Sequence, residues 1–238
     1  MCDVLLIAPL HPDLTWLPDE VESVVNALHP RRILQGTVTE GNIYDALDSM
    51  APVEGVWIGS HASASAIRLT TGEVPHEFLS VPLAMAGVKW VVLNMCESDA
   101  AAGYYTRAGI DVVAYTNGEV QDVDAWRMGR LLAKAVSEND GDLQAGYELV
   151  RDADPHYQFF PGSLATRGLA EEYATNREAI RRIEEKLQTL VVNSAVKESE
   201  QRSWSSRLLA LTIIVAALVF VDAAVVFWIA WHIVESSK

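Results

Sequence analysis

The chain has few cysteines and few basic residues. Its 238 residues include two cysteines, Cys2 and Cys96, too few for a disulfide framework or a set of zinc ligands. The 18 Lys and Arg residues stand against 32 Asp and Glu residues, which gives a formal net charge of −14. Because affinity for a phosphate backbone depends on Lys and Arg, we expect no nucleic-acid partner. The cysteine usage fits a reducing compartment best.

Motifs for nucleotide and metal chemistry are also absent. Neither G-x-x-x-x-G-K-[ST] nor G-x-G-x-x-G occurs, and no spacing typical of metal ligands is found. We therefore expect no cofactor and no metal. The N-terminus lacks the basic region of a secretory signal and passes directly into an apolar run, so we expect no signal peptide.

Apolar runs alternate with amphipathic stretches from Asp3 to Phe160. Runs typical of strands cover 3–8, 32–38, 56–59, 88–94, 110–115 and 157–160, and helical patterns cover 18–28, 39–48, 81–86, 100–109, 122–136 and 143–150. Residues 66–74 alternate around a Thr-Gly turn and predict a small hairpin. This alternation predicts an α/β domain over 1–165, with a mostly parallel sheet covered by helices on both faces.

His61 and Cys96 each follow directly after a predicted strand, at 55–59 and 88–94 respectively. Adjacent parallel strands bring their carboxyl ends to one edge of a sheet, where open α/β proteins place their sites. A thiolate nucleophile needs a neighbouring base, and the N-terminus of the helix predicted after Cys96 favours the thiolate. Either residue alone is more often an ordinary core or surface residue. Together they predict a Cys-His dyad.

Gly59-Ser-His61, the hairpin and then Leu93-Asn-Met-Cys96 resemble the caspase-like CHAT peptidases, whose His-Gly and following Cys occupy corresponding places. Segments 112–116, 120–126 and 155–162 are similar to the closing elements of that family, so the resemblance covers roughly 1–162. It implies a caspase-like fold and a cysteine endopeptidase that cleaves a protein substrate. It also implies an external activator or partner, because the chain has no room for a sensor domain.

The resemblance further implies roles for individual residues. His61 would act as the base or ion-pair partner, Cys96 would attack the peptide carbonyl, and the backbone N–H groups of Ala62 and Cys96 would hold the oxyanion. Ala62 stands where the family usually has glycine, and alanine restricts the backbone if its φ must be positive. An inactive member that signals by binding is therefore an alternative.

Three acidic residues, Glu97, Asp99 and Asp122, lie near the dyad in the predicted topology. We interpret them as substrate-binding residues that favour a basic or neutral side chain at the cleavage site. The alternative is that they are solvated surface acids. Four of the other five histidines are interpreted as ordinary surface or hydrogen-bonded residues: His11, His29, His76 and His156.

The C-terminal part of the chain changes character. Residues 166–206 are charged and helix-prone with a short a/d repeat, which predicts a helical stalk or a short coiled coil. Residues 207–234 predict one transmembrane helix, long enough at about 1.5 Å per residue to span a hydrocarbon core of about 30 Å. Three basic residues precede this helix and one follows it, so the positive-inside rule predicts a tail-anchored protein with a cytoplasmic N-terminal domain.

Asp222 lies inside the predicted transmembrane helix. A carboxyl there costs about 2.5 to 3.5 kcal/mol on insertion scales, so we expect it to mark a helix–helix contact in a homo-oligomer or a water-filled path. A protonated carboxyl that faces lipid is the alternative. Asp222 and the stalk also support a second function, a non-catalytic α/β sensor whose transmembrane helix oligomerises or perturbs the membrane.

Overall fold

The structure is a computed structural model that describes residues 3–116, 118–164 and 166–168, together with 182, 185, 186 and 189. The chain divides into two units, Met1–Ala174 and Thr175–Lys238. Nearly all of the described residues belong to the first unit. Most of the predicted stalk and the whole predicted transmembrane helix, including Asp222, lie outside the described residues. Within the described part of the chain, no helix is both long and apolar enough to span a membrane.

Eight strands and six helices make up the described domain. The strands are β1 (Val4–Pro9), β2 (Arg32–Gly36), β3 (Gly55–Gly59), β4 (Ala66–Leu69), β5 (Gly72–Pro75), β6 (Trp90–Asn94), β7 (Asp111–Tyr115) and β8 (Tyr157–Phe160). The helices are α1 (Leu17–Leu28), α2 (Glu40–Met50), α3 (His76–Met85), α4 (Ser98–Arg107), α5 (Asp122–Glu138) and α6 (Leu143–Val150). Every strand and helix predicted between Asp3 and Phe160 is confirmed, with shifted ends.

Six of the strands form one sheet in the order β2-β1-β3-β6-β7-β8. All neighbouring pairs are parallel except β7 and β8, which are antiparallel. The predicted hairpin is confirmed as the separate pair β4-β5. The prediction of an α/β fold with a mostly parallel sheet is therefore confirmed. Since the five parallel strands run the same way, the loops after β1, β3, β6 and β7 all leave the sheet at its carboxyl edge.

Alternate side chains of each strand enter two separate apolar cores, one on each face of the sheet. On the first face the strands pack with the buried residues of α2, α3 and α4, around side chains such as Ile58 and Leu93. On the second face they pack with α1, α5 and α6, around side chains such as Trp57 and Val92. Successive strand residues point to opposite faces of the sheet, so one continuous apolar run supplies side chains to both cores. This accounts for the three-layer arrangement of helices, sheet and helices.

Local sequence fixes where several elements begin and end. The Thr39 side chain accepts from the Asn42 N–H while the Asn42 side chain accepts from the Thr39 N–H, a reciprocal cap that starts α2. Pro18 lies in the first turn of α1, where its missing N–H costs nothing. After α4, Gly109 takes a φ of 89°, a conformation that glycine adopts without strain.

The last described segment is clamped to the amino edge of the sheet. Arg167 donates from Nη2 to Asp111 Oδ1 at 2.6 Å and from Nε to the Gly109 carbonyl at 2.9 Å. The Gly162 N–H donates to the same Asp111 oxygen at 2.8 Å. Asp111 is the first residue of β7, so Gly162 and Arg167 lie at the edge of the sheet opposite the loops that follow β3 and β6.

Candidate functional site

The sheet register brings His61 and Cys96 to the same edge. β3 and β6 are direct parallel neighbours, and Gly59 pairs with Asn94 at their carboxyl ends. His61 and Cys96 each follow two residues after this last pair. Neighbouring strands lie about 4.8 Å apart. The predicted placement of the two residues at neighbouring strand ends is therefore what the structure has.

His61 is held by a carboxylate from a third strand end. Its Nε2 lies 2.9 Å from Oδ2 of Asp13, in the loop that follows β1. Because a carboxylate only accepts hydrogen bonds, Nε2 carries the proton and Nδ1 is the basic nitrogen of the neutral ring. The hydrogen bond from His61 also lowers the pKa of Asp13. The His61 side chain retains 28% exposure and Asp13 retains 71%, so the pair is open to solvent and to a ligand.

A second histidine, His11, packs against His61 with ring centroids 4.9 Å apart in an edge-to-face arrangement. His11 is buried, and its Nε2 lies 3.1 Å from both Ser60 Oγ and the Arg68 carbonyl. Burial is the main cause that lowers the pKa of His11, against the Arg68 hydrogen bond that raises it. A neutral His11 therefore packs against the His61 ring and places no positive charge beside it.

Cys96 is partly buried just before α4. Its Sγ donates to the Val120 carbonyl at 3.9 Å, a weak contact typical of a thiol. Among the described residues, the thiol of Cys96 and the ring of His61 share no hydrogen bond. The predicted helix after Cys96 is confirmed, since α4 begins at Ser98, whose buried hydroxyl accepts from the Tyr115 N–H at 2.8 Å and fixes the turn to β7.

Glu97 joins the two loops that carry the candidate dyad. Its Oε2 accepts from the Ala64 N–H at 3.0 Å, and its own N–H donates to the Gly118 carbonyl at 2.7 Å. The residue has a φ of 50°, a left-handed conformation that is uncommon for a residue with a side chain. In this conformation the Glu97 carboxylate reaches the loop that carries His61 and holds it through the Ala64 N–H. Its role in substrate binding stays a prediction.

Ala62 forms an isolated antiparallel bridge with Ile67 of the hairpin. The flanking bonds run from the Ser63 N–H to the Ala66 carbonyl and from the Arg68 N–H to the His61 carbonyl. In this pattern Ala62 is the non-hydrogen-bonded residue, so its own N–H points away from the hairpin. Ala62 is not one of the described residues with positive φ, which are His29, Glu97 and Asp140 besides glycines. Alanine is therefore accommodated here without backbone strain.

The other two acidic residues of the prediction lie on different helices, Asp99 on α4 and Asp122 on α5. Oδ2 of Asp122 accepts from the Trp16 N–H at 2.7 Å and from the Thr15 hydroxyl at 3.2 Å, which ties the start of α5 to the start of α1. Asp99 is exposed in the first turn of α4. Their contribution to substrate binding stays a prediction. In the described ranges, no group of three or more His, Cys, Asp or Glu side chains is arranged to hold a metal ion.

The His61 loop rests on a buried histidine from the first face of the sheet. His76 is fully buried at the start of α3, and its ring lies 3.2 Å from the Ser63 carbonyl through Nε2 and 2.8 Å from the Tyr105 hydroxyl through Nδ1. Because a carbonyl only accepts, Nε2 donates to Ser63 and Nδ1 accepts from Tyr105. Burial lowers the pKa of His76 to about 4, so this support is neutral at physiological pH.

The end of β6 rests on a buried carboxyl group from the second face. Glu20 of α1 is 4% exposed, and its Oε1 accepts from Trp57 Nε1 at 2.7 Å. Burial raises the pKa of Glu20, and the nearby side chain of Asn94, the last residue of β6, counteracts this increase. The Asn94 amide donates to the Ala125 carbonyl at 2.9 Å, and its oxygen accepts from the Tyr157 hydroxyl. Hydrogen bonds therefore hold Glu20 to β3 and hold Asn94 to both α5 and β8.

Sequence reasoning missed Asp13 and Glu20. The rule that pointed to His61 and Cys96 also applies to β1, because β1 pairs with β3 and its carboxyl end must lie beside His61. Applied there, it would have selected His11 and Asp13 in the His-Pro-Asp segment. Glu20 gave no comparable signal, since an acidic residue in the first turn of a helix is ordinarily a solvated partner of the helix dipole.

Comparison with known proteins finds no family model that matches this chain and no curated protein that matches it.

Proposed function

We propose that the chain is a membrane-anchored, caspase-like cysteine endopeptidase that cleaves a protein partner through Cys96 and His61. The observation that carries the proposal is the register of β3 and β6, which puts both residues directly past one pair of hydrogen-bonded strand ends. The mostly parallel six-stranded sheet is compatible with a caspase-like fold. The Asp13–His61 contact adds support, because it leaves Nδ1 of His61 as the free base.

In the proposed reaction, Sγ of Cys96 attacks the carbonyl carbon of the scissile peptide bond, and the thiol proton passes to His61 Nδ1. The backbone N–H groups of Ala62 and Cys96 hold the oxyanion of the tetrahedral intermediate. His61 then gives the proton to the departing amine, and a thioester remains on Cys96. Water attacks the thioester carbonyl, and its proton returns through His61 to the Cys96 sulfur as the acid product leaves. Asp13 holds the His61 ring throughout.

Three parts of the proposal concern surroundings rather than chemistry. The sequence supports a transmembrane anchor at 207–234 with a cytoplasmic domain, and a homo-oligomer whose helices meet at Asp222. The exposed acids Glu97 and Asp99, together with the half-buried Asp122, favour substrates with a basic or neutral side chain at the cleaved bond. The thiol contact with the Val120 carbonyl, in place of His61, supports a resting form that an upstream activator rearranges.

The test uses the full chain in phospholipid vesicles with a mixture of peptides derived from whole-cell protein. We expect new peptide ends with wild type and with Cys2→Ser, and none with Cys96→Ser or His61→Gln. The exposed His156→Gln variant is the matched control for the histidine change. Cleavage that survives Cys96→Ser would overturn the proposal.

The second candidate function is the non-catalytic sensor whose transmembrane helix oligomerises or perturbs the bilayer. The observation that favours it is the hydrogen bond of the thiol to Val120 and not to His61 among the described residues. It predicts that leakage of dye from vesicles, or oligomer formation detected by crosslinking, survives Cys96→Ser and is lost with Asp222→Leu. The peptidase proposal predicts the opposite for cleavage, so the two variants distinguish the candidates.

A further inference from the structure

Glu20 is a buried carboxyl group that the proposed reaction does not use. It is enclosed by three elements: α1, which carries it, β3 through Trp57, and α5 through Gly129. A Cβ on Gly129 would lie 3.2 Å from the carboxyl carbon of Glu20 and 3.0 Å from Nδ2 of Asn94. A Cβ on Gly59 would lie 3.4 Å from Oε1. Two glycines thus make the room that this carboxyl occupies directly behind the end of β6.

The neighbours of Glu20 determine how the Asn94 amide is oriented. The Ala125 carbonyl accepts only, so the amide nitrogen of Asn94 faces it and also faces Glu20. The amide oxygen accepts from Tyr157. In this orientation Glu20 accepts from Trp57 Nε1, and the amide nitrogen of Asn94 lies beside the carboxylate and favours its charged form. This arrangement fits an ionised carboxylate, which only accepts hydrogen bonds.

A protonated Glu20 carries a hydroxyl that needs an acceptor, and Trp57 and Asn94 both present donors. Rotation of the Asn94 amide would supply its oxygen as that acceptor, but it would leave the Ala125 carbonyl and the Tyr157 hydroxyl without their present partner. The two protonation states therefore favour two different arrangements of a buried polar network. Cys96 follows Asn94 by two residues, so a change at Asn94 acts on the chain that carries the thiol.

We propose that Glu20 is a positioning residue for Cys96, acting through Asn94, and that its ionisation switches the thiol between a more and a less reactive placement. The inference rests on Cys96 as the nucleophile of the proposed function. Burial, the largest cause, raises the pKa of Glu20 to about 7 against the opposing hydrogen bonds of Asn94 and Trp57. The switch would therefore operate near neutral pH.

Two other titratable groups act on this cluster, Asp122 of α5 and Tyr157 of β8. Asp122 at the start of α5 repels the Glu20 carboxylate and contributes to its raised pKa. Tyr157 of β8 has a pKa well above its ordinary range, mainly through burial and next through Glu20, so it stays a neutral donor. Trp57 and Asn94 do not titrate. Glu20 is thus the group in this cluster that changes charge near pH 7.

The test measures the rate at which iodoacetamide alkylates Cys96 in the full chain on a Cys2→Ser background, from about pH 5.5 to about pH 8.5. Ordinary imidazole and thiol groups ionise in or near this range. The ratio of the unmodified rate to the Glu20→Gln rate removes their contribution, because both proteins retain His11, His61 and Cys96. Glu22→Gln, an exposed carboxyl on the same helix, is the matched control.

We expect the ratio against Glu20→Gln to change by at least about threefold with a midpoint near pH 7, and the ratio against Glu22→Gln to stay constant. Trp57→Phe, which removes one donor to the carboxylate, should move the midpoint up by about one pH unit. A pH-independent ratio for Glu20→Gln, or an unmoved midpoint for Trp57→Phe, would overturn the inference. Peptide cleavage is measured separately. If the alkylation ratio changes with pH as expected but no peptide is cleaved, the proposed function is wrong and this inference still holds.

Discussion

The two faces of the sheet each support one member of the proposed dyad, and they do so with opposite chemistry. On the first face, the neutral ring of His76 supports the His61 loop through hydrogen bonds with the Ser63 carbonyl and the Tyr105 hydroxyl. On the second face, Glu20 holds the end of β6, which leads to Cys96, within a network of four side chains. Both supports are buried and hydrogen-bonded, yet only the second changes charge near neutral pH.

This difference has a definite consequence for stability. The pKa of Glu20 is raised from an ordinary 4.5 to about 7, so the folded state holds a proton that the unfolded state has lost. Its contribution is full below pH 4.5 and falls as the pH rises through about 7. The pKa of His76 is lowered from 6.5 to about 4, so its contribution is full above pH 6.5 and falls as the pH drops toward 4. Between pH 4.5 and pH 6.5 the contributions of Glu20 and His76 to the free energy of unfolding therefore change in opposite directions with pH.

The largest expected effect comes from removal of the carboxyl itself. Glu20→Ala leaves the Trp57 N–H without its buried acceptor and opens a cavity, so we expect a loss of about 3 to 5 kcal/mol near pH 5. The loss should shrink toward pH 8, because ionisation of Glu20 has already cost the wild type about 3 kcal/mol there. Urea unfolding at both pH values measures this.

Glu22→Ala on the exposed side of α1 is the control and should change the free energy of unfolding by less than about 0.5 kcal/mol at either pH. A Glu20→Ala loss that is equal at the two pH values would mean that Glu20 does not titrate near neutrality. The contrast between the two faces would then fail.

The next effect belongs to the first face. Between pH 6.5 and about 4 the wild type should lose about 3 kcal/mol through protonation of His76, a loss that His76→Gln abolishes while it retains one hydrogen-bond partner. Urea unfolding of the pair across this interval measures it. His29→Gln, at the exposed end of α1, should leave the acid slope unchanged. An unchanged slope with His76→Gln would show that the ring is charged or solvated in the fold.

The order of strands and helices could be predicted from the sequence because the strands are buried on both faces and punctuated by helices. The packing of α5 was predicted less well. The helical pattern over 122–136 predicts that Val123, Trp126 and Leu131 face inward, yet they are only half-buried, whereas small residues on that helix are buried: Ala125, Gly129 and Ala133. A pattern of large apolar residues does not select small ones, although a Cβ at Gly129 would lie only 3.0 Å from Asn94 Nδ2 and 3.2 Å from the Glu20 carboxyl carbon.

The candidate site could be predicted in part for a related reason. Strand ends are visible in a sequence, so His61 and Cys96 could be placed at one edge from pattern alone. Pairwise contacts across a fold are not visible: Asp13 reaches His61 across 48 positions, and Trp57 reaches Glu20 across 37. A buried acid in the first turn of a helix has the same local pattern as an exposed one, and only the neighbouring strand decides between them.

A smaller loss of stability is expected when the same substitution, tyrosine to phenylalanine, is made on each face of the sheet. Tyr105→Phe and Tyr157→Phe each leave one buried acceptor unpaired, on His76 and Asn94 respectively, and each should cost about 1 to 2 kcal/mol. In combination with Glu20→Gln, Tyr157→Phe should be non-additive by at least about 0.5 kcal/mol because both act on Asn94. Tyr105→Phe should be additive. Coupling of Glu20 to Tyr105 as strong as that to Tyr157 would mean that the two supports are one network.

The smallest effect on stability is expected at Asp13, which lies in the loop after β1 and contacts His61 in the loop after β3. The carboxylate is exposed and makes one contact with His61, so Asp13→Asn should leave the urea midpoint unchanged. It should nevertheless slow alkylation of Cys96 at neutral pH by about threefold, because an amide fixes the His61 tautomer less well than a carboxylate. Asp13→Glu should recover part of the rate, and the exposed Asp19→Asn should have no effect. If Asp13→Asn and Asp19→Asn alkylate equally fast, the contact with His61 is a surface ion pair without influence on the thiol, and the β1 loop is no part of the site.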